Sequence, residues 1–106
     1  MKNITQEEWQ EAIKNDDNAA ILDVRTQDEV DAGMIPGADH IDIHKGQGFI
    51  DEVEKMDKSK NTYVYCRSGN RSGQACQIMD GLGFENTYNL MGGFSEWDGE
   101  VAYPKD

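Results

Sequence analysis

TYVYCRSGNRSGQACQIMDGLG, Thr62 to Gly83, is the stretch on which the reading of this chain turns. The β-branched and aromatic residues from Thr62 to Cys66 predict a strand. It breaks off abruptly into Arg, Ser, Gly and Asn. From Gly73 onward the apolar positions Ala75, Ile78, Met79 and Leu82 fall at helical spacing, with Gly83 as the stop. In a strand–loop–helix unit of this kind the loop amides and the first N–H groups of the helix can converge on one point. If that point is the Cys66 sulfur, the thiolate is favoured over the thiol. A free cysteine with a pKa of about 8.5 is little ionised at neutral pH, whereas helix N-termini and arginines bring it to about 3.5–7.5. A shift of about two units is worth ~2.7 kcal/mol in favour of the charged form. The chain has only three arginines, and two of them, Arg67 and Arg71, flank this cysteine. Gly69 suits a backbone position with positive φ or a close approach.

Working outward, AAILDV (Ala19 to Val24) is a short apolar run of the kind a buried strand needs. Ahead of it, Thr5 and Glu8 form a capping box, and Trp9, Ala12 and Ile13 make an apolar stripe, which predicts a first helix. Residues 27–32 predict one or two helical turns stopped by Gly33, IPGA at 35–38 a turn, and His40 to Ile43 a brief strand. Phe49, Ile50, Val53 and Met56 fall on one helical face. TYNL at 87–90 predicts a further strand, followed by Gly92-Gly93 and a last turn around Trp97. Strands alternating with helices predict an α/β fold with a central, mainly parallel sheet of about five strands and helices on both faces. Ligands of such sheets sit beyond the carboxyl ends of the strands, which is where the loop after Cys66 lies.

At 106 residues the chain predicts a single domain over residues 1–106. Leu, Ile, Val and Phe make up only 19 of these, so the core is small and the surface heavily hydrated. The net charge of −11 argues against nucleic acid and anionic membranes as partners, because both are polyanions. No stretch approaches the roughly 18 apolar residues of a spanning helix. MKNITQEEWQ holds no apolar core for a signal peptide, so a cytoplasmic protein with Cys66 and Cys76 as free thiols is expected. Screening confines bulk repulsion to about 8 Å at physiological salt. An electropositive mouth on a negative body is therefore compatible with a small anionic substrate.

Three segments together resemble the rhodanese (sulfurtransferase) family, as a single-domain member. LDVRTQDEVDAGMIPGA, Leu22 to Ala38, looks like the family's amino-terminal signature, with Met34 where many members have His. CRSGNRS, Cys66 to Ser72, looks like its active-site loop, and NLMGGFSEW, Asn89 to Trp97, like its carboxyl-terminal segment. The resemblance implies a rhodanese-like fold and a thiosulfate sulfurtransferase-like activity. Cys66 would be the nucleophile that takes the sulfane sulfur of thiosulfate or a similar small anionic donor. It would hold that sulfur as a persulfide and yield it to cyanide or a thiol. Arg67 and Arg71 would bind the sulfonate end of the donor, while the backbone of Ser68, Gly69, Asn70, Arg71 and Ser72 would line the cradle. Asp23, Arg25 and Glu29 resemble the family's buried polar set. They are expected as structural support, with an Arg25–Glu29 ion pair and Asp23 bonding loop backbone. No metal or organic cofactor is implied.

Three other readings are weighed against this one. A carrier domain would use the same loop to accept persulfide from a protein donor and pass it to a protein acceptor. A cysteine-dependent phosphatase or arsenate reductase places five residues between Cys and Arg, whereas four separate Cys66 from Arg71. A thiol–disulfide enzyme is disfavoured by the nine residues between Cys66 and Cys76. Cys76 reads as core, with a resolving disulfide open if it faces Cys66. His40 and His44 read as surface or support residues, Trp9 and Trp97 as packing anchors, and Asp51 to Glu54 as a solvated helix face.

Overall fold

A computed structural model describes residues 1–104. Five strands, β1 (Lys2–Ile4), β2 (Ala19–Asp23), β3 (Asp39–His40), β4 (Asn61–Tyr65) and β5 (Asn86–Leu90), form one sheet in the order β1-β5-β4-β2-β3. Every pairing within it is parallel. The helices α1 (Gln6–Asn15), α2 (Gln27–Asp31), α3 (Gln47–Val53) and α4 (Asn70–Gly81) supply the crossovers. A lone antiparallel bridge, Met34 to Ala102, ties the segment after α2 to the end of the described chain.

The two-residue period of β4 divides the core. Tyr63 and Tyr65 face α1, where they pack with Ile4, Trp9, Ile35 and Leu90. Trp9 meets both tyrosines edge to face, with centroids 5.5 and 6.0 Å apart. Val64 and Cys66 face the other way, against Leu22, Val24, Phe49, Val53, Ala75, Cys76 and Met79. Large aromatic side chains on the α1 face compensate for the scarcity of aliphatic ones.

The capping box expected at Thr5 and Glu8 is present, with the Glu8 amide donating to Thr5 Oγ1 at 3.2 Å and the Thr5 amide to Glu8 Oε1 at 3.0 Å. Thr26 and Glu29 form a second one at the start of α2. Most bounds shift by a residue or two, and three differences from expectation go further. The strand expected over 40–43 stops at His40, because Asp42 accepts the His44 amide (2.9 Å) and caps a single 3-10 turn over Ile43–Lys45. The three residues of β1, only Ile4 of them buried, carry too little pattern to be read as a strand. Helix α4 begins at Asn70, not Gly73, because Gly69 adopts φ +106° and caps it. Asn70, Arg71 and Ser72 therefore belong to the first helical turn. Among the described residues no helix is long and apolar enough to cross a membrane.

Candidate active site

Cys66 follows the last residue of β4 and its side chain is fully buried. The chain turns at Gly69, whose amide points back at the sulfur (N to Sγ 3.1 Å), and Ser72 Oγ lies 3.3 Å from Sγ. Burial works against the thiolate. The Ser72 hydroxyl and the amides of Ser72, Gly69 and Ser68 outweigh it and bring the thiol below the ordinary cysteine value. Of the loop amides expected to converge on Cys66, that of Gly69 is hydrogen-bonded to the sulfur.

The arginines are arranged differently from expectation. Arg71 grips Glu29 with both prongs of its guanidinium, at 2.6 and 2.8 Å, so its charge is compensated and its fork is occupied. Arg67 is exposed and forms no ion pair or side-chain hydrogen bond among the described residues. The electropositive mouth thus reduces to Arg67. Hydroxyl and amide donors, ahead of the guanidiniums, lower the thiol.

The expected Arg25–Glu29 ion pair does not form. Arg25 instead pairs with Asp23, at 2.7 Å from its Nη2 and 3.0 Å from its Nε. Two residues apart at the end of β2, these side chains emerge on the same side of the sheet. Arg25 touches only the main-chain oxygen of Glu29, at 3.4 Å, and donates to Gly33 O at 2.7 Å. Its guanidinium lies 4.4 Å from the Phe94 ring centroid and 5.4 Å from that of Tyr65. Asp23 accepts the Arg25 amide at 3.0 Å rather than an amide of the loop after Cys66. Glu29, busy with the Thr26 cap and Arg71, fastens α2 to α4.

That latch sets an acid sensitivity. The Arg71 guanidinium, helped by the Thr26 amide and hydroxyl and opposed by burial, holds the Glu29 carboxyl down from 4.5 to about 2. A carboxyl depressed by folding contributes stability that is fully present above about pH 4.5 and fades as pH falls towards 2. Glu29→Gln should therefore narrow the gap between urea midpoints measured at about pH 5 and about pH 3. A gap as wide as in the parent protein would mean that the pair is not coupled to folding.

The far side of the loop is held by the segment after β5, to which the sequence reading gave no specific role. The amides of Phe94 and Ser95 donate to Cys66 O and Arg67 O, both at 2.9 Å. Asn89, buried in β5, donates through Nδ2 to Gly69 O (3.1 Å) and accepts from Ser72 Oγ through Oδ1 (2.5 Å). Its signal in the sequence is a polar residue in the middle of TYNL.

Of the remaining candidates, Ser68 and Asn70 are exposed on the loop and the first helical turn. Cys76 is a free, buried thiol that burial pushes up to about 12, as expected of core. His40 Nε2 meets Arg25 O at 2.6 Å, a support role. A cleft of about 380 Å³ beside the loop is lined by Arg25, Glu29, Ala32, Arg67, Phe94 and Ser95. A cleft of about 420 Å³ between Trp9 and Trp97 includes no loop residue.

Comparison with known proteins gives a consistent result. A family model described as a rhodanese-like domain matches residues 5–100. A protein of Bacillus subtilis named putative sulfurtransferase YtwF is 41% identical over 107 residues, covering 100% of this chain and 98% of that one. Thiosulfate sulfurtransferase GlpE of Pseudomonas entomophila is 37% identical over 88 residues, covering 83% of this chain and 76% of that one. The crystal structure of a rhodanese-like domain protein from Staphylococcus aureus superposes with a TM-score of 0.86 at 27% identity, covering 99% of this chain and 100% of that one.

Proposed function

The chain belongs to the rhodanese-like sulfurtransferase family, and from that premise we propose that residues 1–106 act as one domain that transfers sulfane sulfur through a Cys66 persulfide. The observation that carries this reading is the convergence of the Gly69 amide and the Ser72 hydroxyl on Cys66 Sγ. The Gly69 amide is a backbone donor fixed in place before any charge appears, and it stabilises an anionic sulfur without reorganising.

Thiosulfate is the donor that fits. The Cys66 thiolate attacks its outer sulfur, a Cys66 S–S bond forms, the donor's S–S bond breaks, and sulfite leaves with the electron pair. The product is a persulfide anion. Cyanide or a thiolate then attacks the terminal sulfur and leaves as thiocyanate or as a new persulfide, returning the Cys66 thiolate. Neither step needs an external oxidant or reductant, because the transferred sulfur is already at the sulfane level in the donor, and the scheme is two-step covalent catalysis with ping-pong kinetics.

Arg67 is the guanidinium free to meet the sulfonate end, since Arg71 is occupied by Glu29. The Cys66 side chain is fully covered, so attack requires the sulfur to become accessible at the loop. A phosphatase reading fits poorly. It needs the loop arginine to fork onto a phosphate, and Glu29 already fills that fork. The name of the Pseudomonas entomophila relative supports thiosulfate as the donor.

The test is to incubate the reduced protein with thiosulfate and record its intact mass. The expected result is a gain of one sulfur atom that cyanide reverses and that Cys66→Ser does not show. An unchanged mass, or turnover of aryl phosphates instead, would overturn the reading.

A further inference from the structure

The hydroxyl of Ser72 has one proton and two acceptors beside it, Cys66 Sγ at 3.3 Å and Asn89 Oδ1 at 2.5 Å. The orientation of Asn89 is fixed by its other end. Its Nδ2 lies 3.1 Å from Gly69 O, a carbonyl that can only accept, and 3.0 Å from Asn3 Oδ1. The amide oxygen therefore faces Ser72, and since that oxygen can only accept, Ser72 must donate to it. A serine proton given to Asn89 leaves lone pairs towards Cys66. Those lone pairs accept the weak S–H donor of a thiol and oppose a thiolate.

We infer that Asn89 is a positioning residue which holds the Ser72 proton away from Cys66 while the sulfur is a thiol and releases it when the sulfur becomes an anion, thereby setting how readily Cys66 ionises. The chain of hydrogen bonds then has two states. In the resting state the thiol donates to Ser72 and Ser72 donates to Asn89. In the reactive state Ser72 rotates and donates to the thiolate, and Asn89 Oδ1 loses its partner. Once a persulfide forms, the inner sulfur is an uncharged divalent atom and a poor acceptor, so the proton returns to Asn89. Ser72 thus supports the attacking anion and withdraws from the product.

Other charged or titratable groups flank the site, and none is hydrogen-bonded to the Ser72 hydroxyl among the described residues. They are Arg71 on α4, with Glu29 of α2 and Asp42 near it, Arg67 on the loop, and the Cys76 thiol on α4. Ser72 and Asn89 are themselves both buried, so water does not offer either a substitute partner.

This inference rests on the thiolate reading of Cys66, but its test needs no sulfur donor. The rate of Cys66 alkylation by iodoacetamide, followed at that residue by peptide mass, is measured against pH. Asn89→Ala should lower the midpoint by about half to one unit, the worth of one competing hydrogen bond. Ser72→Ala should raise it. In the Ser72→Ala background, Asn89→Ala should then add no shift. A structural role for Asn89 would move the midpoint equally in both backgrounds, and that result, or a rise in Asn89→Ala alone, would overturn the inference.

A second measurement keeps Asn89 in place. The side-chain amide NMR signal of Asn89 should titrate with the Cys66 midpoint in the parent protein and stay flat in Ser72→Ala. A flat signal in the parent protein overturns the inference too. Failure of sulfur uptake beside an intact alkylation result would sink the sulfurtransferase reading alone.

Discussion

Gly93→Ala is expected to destabilise the fold by on the order of 4 kcal/mol and to slow persulfide formation about 100-fold. Gly93 adopts φ +58°, a conformation that costs any residue with a Cβ about 1–3 kcal/mol. A Cβ there would also sit 2.5 Å from Arg67 O and 2.6 Å from Cys66 O. These are backbone atoms that cannot swing aside, because they accept the Phe94 and Ser95 amides. Relief requires the two segments to part, with the loss of both hydrogen bonds at about 0.5–1.5 kcal/mol each. Parting also releases the carbonyl of the residue that carries the sulfur. A misplacement of about 1 Å in a catalytic constellation can cost about 100-fold.

The neighbouring glycine is the control. Gly92 has φ +78°, but the atoms nearest its Cβ would be those of the Glu96 carboxylate, from 2.7 Å, the free end of a flexible side chain. Gly92→Ala should cost about 1–2 kcal/mol, the strain of its positive φ, and leave most of the rate. Urea unfolding and the rate of sulfur uptake check both variants. Equal, mild effects would show that the close approach of Gly93 to the loop does not hold the site together.

The contrast between local and distant pairing also explains how much was legible beforehand. Strands β2 and β4 carry their pattern within five or six residues, and α1 announces itself through Thr5, Glu8 and Trp9. Cys66 and the Gly69 amide lie close enough in sequence for their approach to be foreseen, whereas the hydroxyl of Ser72 as a donor to the sulfur is not part of that reading. The start of α4 lies earlier than the apolar spacing indicates, because Asn70, Arg71 and Ser72 carry no apolar residue to mark the helical period and Gly69 caps the helix without a side chain.

Side-chain partners were less legible. Glu29 and Arg71 are 42 residues apart, and Ser72 and Asn89 are 17 apart. Both pairings depend on how α2, α4 and β5 meet at one end of the sheet. The sequence offered Glu29 a nearer guanidinium in Arg25, but the strand's alternation hands Arg25 to Asp23. The expectation of two free arginines beside Cys66 failed for the same reason, since a cation's availability depends on the carboxylates that folding brings to it.

That Asp23–Arg25 pair should produce the other large effect. Asp23→Asn is expected to cost about 3–5 kcal/mol, because it strands a buried cation that cannot lose its proton. The two side chains are only 0% and 4% exposed, and the guanidinium is enclosed by Phe94, Tyr65 and the Gly33 carbonyl. Asparagine keeps the size and one acceptor, so the loss measures charge more than shape. Replacing both partners, as in Asp23→Asn with Arg25→Met, should recover part of the deficit, since removing a whole buried pair is far less damaging than breaking it. Chemical unfolding of the two variants against the parent protein reads this directly. A single-variant cost below about 1 kcal/mol, typical of surface pairs, would contradict the enclosure. The damage should also reach the site. Arg25 lies against the Phe94 ring, and the Phe94 amide holds the Cys66 carbonyl. Asp23→Asn should therefore slow sulfur uptake even at temperatures where the protein remains folded, and the double variant, with the stranded charge gone, should slow it less.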